Sequence, residues 1–195
     1  AHSLQRIDGQ RLSRYRFRHH LFQSYLYHRL NQIERAQRHE QVGNALEAIY
    51  TVGQDGVSGI APQLAWHFEA AGIVAKAIGY LQQAGNRAVQ LAAHEEAIAF
   101  FNRALELLQR LLPVPERDRQ EFDLQLALAT ALEARPGWGG ADRMRAYTRA
   151  SELAQQLSGA PELPLSLYML AGMRQVKAEF PQALALGEYM LRLAE

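Results

Sequence analysis

Apolar residues recur along most of the chain at the three- and four-residue steps of amphipathic helices. Between His19 and about Leu30 the residues Leu21, Phe22 and Tyr25 follow this spacing, and a second helix is predicted from about Ile33 to Tyr50. Further helices are predicted at about 60–71, 74–91, 93–112, 116–134, 140–157, 162–176 and 180–194. The pattern therefore predicts an all-α protein.

Two stretches depart from the helical spacing. Tyr15 to Arg18 alternates apolar and polar residues after the turn-forming pair Asp8-Gly9, which predicts one short strand. Residues 51–59 contain three glycines together with Asp55 and Ser58, a composition that breaks helices and predicts a linker. Regular helical structure is expected to continue from residue 60 to the end of the chain.

The downstream helices repeat one packing pattern. Two matches share the spacing of the tetratricopeptide repeat, and an interrupted unit lies between them. The first match comprises Leu81, Ala84, Gly85, Ala88, Ala97, Phe101 and Ala104, the second Leu167, Leu170, Ala171, Ala183 and Met190, and the interrupted unit Leu128, Tyr147 and Ala150. Small and large residues in this alternation let helices approach closely and fill the gaps between them. We therefore predict a tetratricopeptide-like α-α superhelix of antiparallel helix pairs, with a short strand and helices at the N-terminus.

Four phrases follow one another in an order that is similar to a known family. They are Tyr15–Tyr27 (YRFRHHLFQSYLY), Leu64–Gly72 (LAWHFEAAG), Ala77–Gly85 (AIGYLQQAG) and Glu96–Leu108 (EAIAFFNRALELL). In this order they resemble the C-terminal half of bacterial STAND-type signalling ATPases, including those linked to adenylate or guanylate cyclase domains and those similar to the maltose-regulon activator. The resemblance covers nearly the whole chain.

The resemblance implies a division of the chain and a function. Residues 1–50 would hold the end of a winged-helix-like segment with a linking helix, 51–59 a linker, and 60–195 the helical repeats. An upstream nucleotide-binding domain using ATP or ADP would lie outside this chain, which starts at Ala1 without a methionine or signal peptide and is expected to be a segment of a longer cytoplasmic protein. His19 occupies the place of the histidine in the family's MHD-like motif, which touches the nucleotide phosphate, although Arg18 and His20 replace the flanking methionine and aspartate.

Composition and charge narrow the function further. The chain has 195 residues, a formal net charge of +1 and no cysteine, which excludes disulfide scaffolds and thiol chemistry and fits a reducing compartment. No apolar run approaches the roughly 20 residues of a membrane span, so no membrane partner is expected. Arginine is concentrated in the first forty residues, where we favour docking on a neighbouring domain over direct DNA binding.

Catalytic and metal-binding motifs are missing from the sequence. There is no phosphate-binding loop and no nucleophile elbow, and in the segment that begins His94-Glu95 the second histidine of a zinc-protease helix is replaced by Ile98. We therefore expect a non-catalytic chain without a metal or cofactor of its own, any ATPase or cyclase activity lying in other domains.

Binding is the function that remains, and the repeat positions suggest where it occurs. Asn86, Gln90, Tyr168 and Gln175 are the candidates for a concave groove. Trp138, in a glycine-rich loop, is a candidate loop contact. Seven aromatic residues that recur at helical spacings are expected to pack between helices: Trp66, Tyr80, Phe100, Phe101, Tyr147, Tyr168 and Tyr189. The leading hypothesis is a module for protein–protein or interdomain contacts. The alternative is a sensor in which a small-molecule inducer switches an attached ATPase, cyclase or transcription-regulator output.

Overall fold

The computed structural model describes residues 2–5, 11–14, 20–50, 56–134, 140–157 and 163–194. Helices dominate this part of the chain, as the sequence predicted. Their bounds are α1 His20–Arg29, α2 Gln32–Tyr50, α3 Ala61–Ala70, α4 Val74–Gln90, α5 His94–Leu108, α6 Pro115–Leu132, α7 Ala141–Gln156, α8 Leu163–Val176 and α9 Phe180–Ala194. A short 3-10 helix, Val57–Ile60, precedes α3.

A small antiparallel hairpin precedes the helices. Strand β1, His2–Gln5, pairs with strand β2, Arg11–Arg14, so that Leu4 lies opposite Leu12. The sequence prediction did not include these two strands, and the strand that it placed at Tyr15 to Arg18 lies outside the described residues. The signal was present in the sequence, because Asp-Gly between two short apolar–polar runs is typical of a hairpin.

Three connections between helices use the same turn. After α3, Gly72 has a φ of 78°. The Gly72 N–H donates to the Glu69 carbonyl at 3.0 Å, and the Ile73 N–H donates to the Phe68 carbonyl at 2.9 Å. This is the Schellman arrangement, which satisfies carbonyls left free at a helix end. The turns after α4 and α8 repeat both hydrogen bonds with alanine in the left-handed position, Ala92 at 57° and Ala178 at 59°.

Capping side chains fix other boundaries. Asn31 and Glu34 form a reciprocal capping box at the start of α2, each accepting a 2.9 Å hydrogen bond from the other's backbone N–H. Pro115 begins α6, where the missing N–H costs nothing. Helix α5 ends at Leu108, four residues before its predicted end, and the Arg117 Nε donates to the Leu108 carbonyl.

The chain divides into two compact units, Ala1–Ala77 and Ile78–Glu195. In the first, α2 packs against α3. In the second, α5, α6, α7 and α8 each pack against the next helix in the sequence. The prediction of an all-α fold made of adjacent packed helix pairs is confirmed. The predicted domain limits at 50 and 59 differ from this division and stay a prediction.

The core follows the repeat pattern of the sequence. Phe101, Ala97 and Ala104 of α5 are fully buried, as are Leu167 of α8 and Ala150 of α7. In the second unit a cluster of apolar side chains joins α6, α7 and α8; its buried members are Phe122, Ala150, Leu153, Ala154 and Leu167. The first unit buries Leu64 and Phe68 of α3, and a Cβ at Gly43 of α2 would lie 3.1 Å from the Phe68 ring. The residues predicted for close helix packing therefore lie where helices meet.

Candidate functional site

A groove of about 610 Å³ lies across α5, α6 and α7, and we call it the polar groove. Its lining residues recur at three- and four-residue steps on each helix, so that one face of each helix contributes. They are Ile98, Asn102, Leu105, Glu106 and Gln109 from α5 and its end, Gln125, Leu128 and Leu132 from α6, and Asp142, Arg145, Ala146 and Arg149 from α7. The groove is therefore built from consecutive helices of one unit.

The charged residues of the polar groove are held in ion pairs. Arg149 Nε donates to Glu121 Oε1 at 2.6 Å, and a second nitrogen donates to Glu121 Oε2 at 3.2 Å. This forked hydrogen bond raises the pKa of the Arg149 guanidinium above its ordinary value. Arg145 pairs with Asp142, and Arg103 pairs with Glu106 at 2.6 Å. Two acidic and two basic residues line the groove, so its formal charge is balanced.

Three amide side chains in the polar groove have no such partners. Asn102 and Gln109 are exposed and Gln125 is half-buried. None of the three side chains forms a hydrogen bond within the part of the chain that the structure describes. An amide both donates and accepts, and can therefore satisfy the N–H and C=O groups of a peptide backbone. These amides are the groups of the groove that remain available to a ligand.

A second groove, about 470 Å³, lies between α8 and α9, and we call it the apolar groove. The lining residues are Tyr168, Ala171, Gly172 and Gln175 of α8, and Ala183, Gly187, Met190 and Leu191 of α9. The two grooves differ in chemistry, since none of the described residues that line the second groove is charged.

The predicted site residues do not lie together in one site. Tyr168 and Gln175 lie together in the apolar groove, whereas Asn86 and Gln90 are exposed on α4 and line neither groove. His19 and Trp138 lie outside the described residues. The binding roles of these six residues stay predictions, and the amides of the polar groove were not singled out from the sequence.

The expectation that the aromatic residues pack between helices holds for part of the set. Tyr80, Phe101 and Tyr147 are buried, but Trp66 and Tyr168 are exposed. Tyr147 donates a 2.7 Å hydrogen bond to Glu133, and its burial raises the pKa of the phenol well above the ordinary value. The expectation was wrong for Tyr168 because the face of α8 that carries it is not covered by another described helix.

A buried polar contact in the first unit also escaped the sequence analysis. Nδ1 of His39 lies 3.0 Å from Nδ1 of His67, and the Tyr27 hydroxyl lies 3.1 Å from Nε2 of His39. The Trp66 ring meets the His39 ring edge to face, 4.7 Å between centroids. Burial lowers the pKa of both histidines, and for His67 the neighbouring His39 lowers it further. We call these four residues the histidine cluster.

The histidine cluster holds two candidate metal ligands, and a metal site needs more. Groups of three or more His, Cys, Asp or Glu side chains placed to bind a metal ion are absent from the described residues. In the same residues no helix combines the length and the apolar character needed to cross a membrane. His39 and His67 therefore form a hydrogen-bonded pair.

The fold is all-α, and the two grooves described above are formed by helices that pack against their neighbours in the sequence. No family model matches the chain, and no curated protein matches it. Among solved structures, the chain is similar to BtubC (BKLC) from P. vanneervenii, with a TM-score of 0.48 and 16% identity. The similarity covers 82% of this chain and 73% of that one.

Proposed function

We propose that this chain is a non-catalytic interaction and regulatory module that binds an extended protein segment in the polar groove. The observation that carries the proposal is the set of three unpaired amides, Asn102, Gln109 and Gln125, in a groove whose charges are already paired. A segment of the same multidomain protein or of a partner protein would serve equally as the ligand.

The chemistry of the residues that line the groove favours a peptide ligand. An extended peptide presents an N–H and a C=O group at each residue, and burying these groups without partners is costly. The amides lie on two neighbouring helices and can supply those partners. Ile98 and Leu128 add apolar surface at the base of the groove, where alternate side chains of the peptide can pack.

Balanced charge gives this binding a characteristic salt response. Glu106, Asp142, Arg145 and Arg149 line the groove, and each of the four is held in an ion pair. Because the groove carries no net formal charge, a charge on the ligand adds little to its binding free energy. The affinity should therefore change little with ionic strength. A strongly acidic or basic ligand would not be selected.

The family resemblance supplies the wider context of the proposal. The phrases between Tyr15 and Leu108 support a place in a cytoplasmic, bacterial signalling ATPase of the STAND type, with ATP or ADP bound by a domain outside this chain. In that setting the groove would hold another domain of the same protein and so regulate it. His19 would contact the nucleotide phosphate in the intact protein.

A displayed library of short unstructured peptides provides the test. The best selected peptide is measured by calorimetry against the wild-type chain and against variants Asn102→Ala and Gln125→Ala. Each lost hydrogen bond should cost about 0.5 to 1.5 kcal/mol, which is roughly a threefold to tenfold loss of affinity. Gln83→Ala, which removes an exposed amide of α4 outside the groove, is the control.

Three outcomes decide the proposal. Weakening by both groove variants and not by the control supports it. Binding that is indifferent to both groove variants, or a library from which no peptide is selected, contradicts it. A parallel screen of nucleotides and small metabolites by thermal shift would favour the inducer-sensor alternative if one of them stabilised the chain.

A further inference from the structure

The histidine cluster joins three helices of the first unit. His39 of α2 and His67 of α3 are 6% and 8% exposed, and their Nδ1 atoms lie 3.0 Å apart. From α1, the Tyr27 hydroxyl lies 3.1 Å from Nε2 of His39. A chain of hydrogen bonds therefore runs from α1 through α2 to α3.

The contact between the two rings limits the number of protons that the pair can hold. A hydrogen bond between two Nδ1 atoms needs a proton on one and a lone pair on the other. Two neutral rings meet this condition when their tautomers differ, and one added proton still leaves a lone pair on one Nδ1. With a second added proton both Nδ1 atoms carry N–H groups, and the two positive charges repel each other. The contact therefore tolerates one extra proton and not two.

The basic neighbours of the cluster add positive charge and no acceptor. Arg35 lies one turn before His39 on the same face of α2, and its guanidinium carbon lies 5.5 Å from the centroid of the Tyr27 ring. A guanidinium cannot accept a hydrogen bond. Most other ionisable residues of α1 and α2 are exposed: His20, Tyr25, His28, Arg29, Glu34, Arg38, Glu40 and Tyr50.

The acidic neighbours do not offset a second charge on the rings. Glu69 of α3 lies two positions after His67 and therefore on a different face of the helix. Glu47 of α2 is paired with Lys76 at 2.7 Å. Burial lowers the pKa of both histidines, and the neighbouring His39 lowers that of His67 further. Separation of the two rings is therefore coupled to proton uptake and becomes more favourable below pH 6.5, the ordinary pKa of histidine.

Of the three helices, α1 moves at the lowest cost. His67 lies in the segment from Leu64 to Phe68, whose first and last side chains are fully buried, so an outward movement of His67 would disturb the core. All ten residues of α1 are described, and none of them is buried. A charged His39 ring that turns toward water therefore displaces Tyr27, and α1 moves with it.

We propose that the histidine cluster is a pH-sensitive switch that holds α1 on the α2–α3 pair at neutral pH and releases it in mild acid. Release occurs when both rings carry an added proton and their contact breaks. The close packing of Gly43 against the Phe68 ring keeps α2 on α3 in both states. The switch lies in the first unit, whereas the polar groove lies in the second.

Distances between spin labels on the whole chain test the switch. The chain contains no cysteine, so pairs of cysteines can be introduced at exposed positions for labelling. Gln23→Cys with Gln63→Cys reports on α1 relative to α3, and Gln37→Cys with Gln63→Cys reports on α2 relative to α3. Between about pH 7.5 and about pH 5, the first distance should change from a narrow distribution to a longer and broader one. The second distance should stay the same.

The number of rings that take up a proton determines the size of the effect. At about pH 5, two rings with the ordinary pKa of 6.5 favour the released form by up to about a thousandfold, and one ring does so by at most about thirtyfold. His67→Gln keeps a hydrogen-bond partner for His39 in either charge state and should suppress most of the release. His28→Gln, which removes an exposed histidine of α1, is the matched control and should release α1 as the wild type does.

The outcomes separate the switch from general unfolding. Release that His67→Gln suppresses and His28→Gln leaves intact supports the proposal. An α1–α3 distance that does not change with pH in the wild-type chain overturns it, as does equal release in the wild type and His67→Gln. Lengthening of both distances would show that the whole unit unfolds and would also overturn it.

A second variant tests the contact through which Tyr27 attaches α1. Tyr27→Phe removes the hydroxyl and keeps the ring, so α1 should be partly released already at about pH 7.5 and respond less to acid. Circular dichroism of each variant establishes that the helices remain folded. If Tyr27→Phe gave the same α1–α3 distances as the wild type at both pH values, the hydroxyl would not hold α1 and the proposal would fail.

Discussion

The α4–α5 and α8–α9 helix pairs share a turn and differ in the contact between their helices. Both turns place an alanine in the left-handed conformation, Ala92 in the first and Ala178 in the second, with the same two backbone hydrogen bonds. In the first pair the Phe101 ring packs against Gly85. In the second pair Gly187 stands at the position that corresponds to Phe101, 20 residues after Leu167 as Phe101 is 20 residues after Leu81, and it lines the apolar groove. The two pairs therefore share a turn, and the residue at the position of Phe101 decides whether a side chain fills the space between the two packed helices.

The two helix pairs therefore differ in how much the contact between their helices contributes to stability. A closed pair contributes its apolar area to the stability of the monomer, because the Phe101 side chain is fully buried. The second, open pair lacks this ring and has a groove between its helices. Variants at the matched positions can convert one pair into the other and measure what each contact contributes.

Opening the closed pair should have the largest effect. Phe101→Ala removes a fully buried ring and leaves a cavity against Gly85, so the free energy of unfolding should fall by about 3 to 5 kcal/mol. Chemical denaturation monitored by circular dichroism measures the loss. Phe100→Ala on the same helix is the control, because Phe100 is half-buried and should cost clearly less. Equal losses would show that Phe101 has no special place in the pair.

Overfilling the closed pair should have the next largest effect. Gly85→Ala places a Cβ against the Phe101 ring, which must shift, and should lower the free energy of unfolding by about 1 to 3 kcal/mol, although alanine favours helices. The double variant Gly85→Ala with Phe101→Leu should lose less than the two single losses combined, because the smaller side chain makes room. Additive losses would argue against direct contact.

The shared turn should respond equally in both pairs. Ala92→Gly and Ala178→Gly relieve the left-handed backbone of a Cβ, and each should raise the free energy of unfolding by about 1 kcal/mol. The same denaturation experiment measures both. A gain in one pair and a loss in the other would show that the two turns are not equivalent.

The open pair should accept a side chain where the closed pair rejects one. Gly187→Ala adds a methyl group to α9 at a position where no described residue lies within 4 Å, and it should raise the free energy of unfolding by about 0.5 to 1 kcal/mol in the same denaturation experiment. Gly172→Ala on α8 should behave in the same way. A loss at either position would mean that the groove is occupied by a neighbour.

Much of the helical framework could be predicted because it depends on local spacing. The predicted starts and ends of α4 and α9 agree closely with the structure, and the repeat residues Leu81, Ala97 and Leu167 are buried. The end of α5 was placed too late, since the apolar run through Leu112 continues the pattern although Leu112 itself is exposed. There the helix ends before Pro113, which disfavours helical backbone in the preceding residue.

The candidate site was less predictable because it depends on side chains brought together from separate helices. Tyr168 and Gln175 share a groove because they lie two turns apart on one helix. The amides Asn102 and Gln125 come from different helices, and their lack of partners is visible only once the ion pairs around them are known. His39 and His67, 28 residues apart, carry no local signal of their contact.

The contact between His39 and His67 also makes the stability of the fold depend on pH. Burial disfavours the charged form of both rings and lowers each pKa below the ordinary value of 6.5, so the unfolded chain binds protons more readily than the folded one. The stability that the pair contributes is present above pH 6.5 and is lost as the pH falls through the lowered pKa values. Unfolding of the Ala1–Ala77 unit is therefore accompanied by proton uptake in mild acid. For this unit, protons act as ligands that bind the unfolded state more tightly than the folded state.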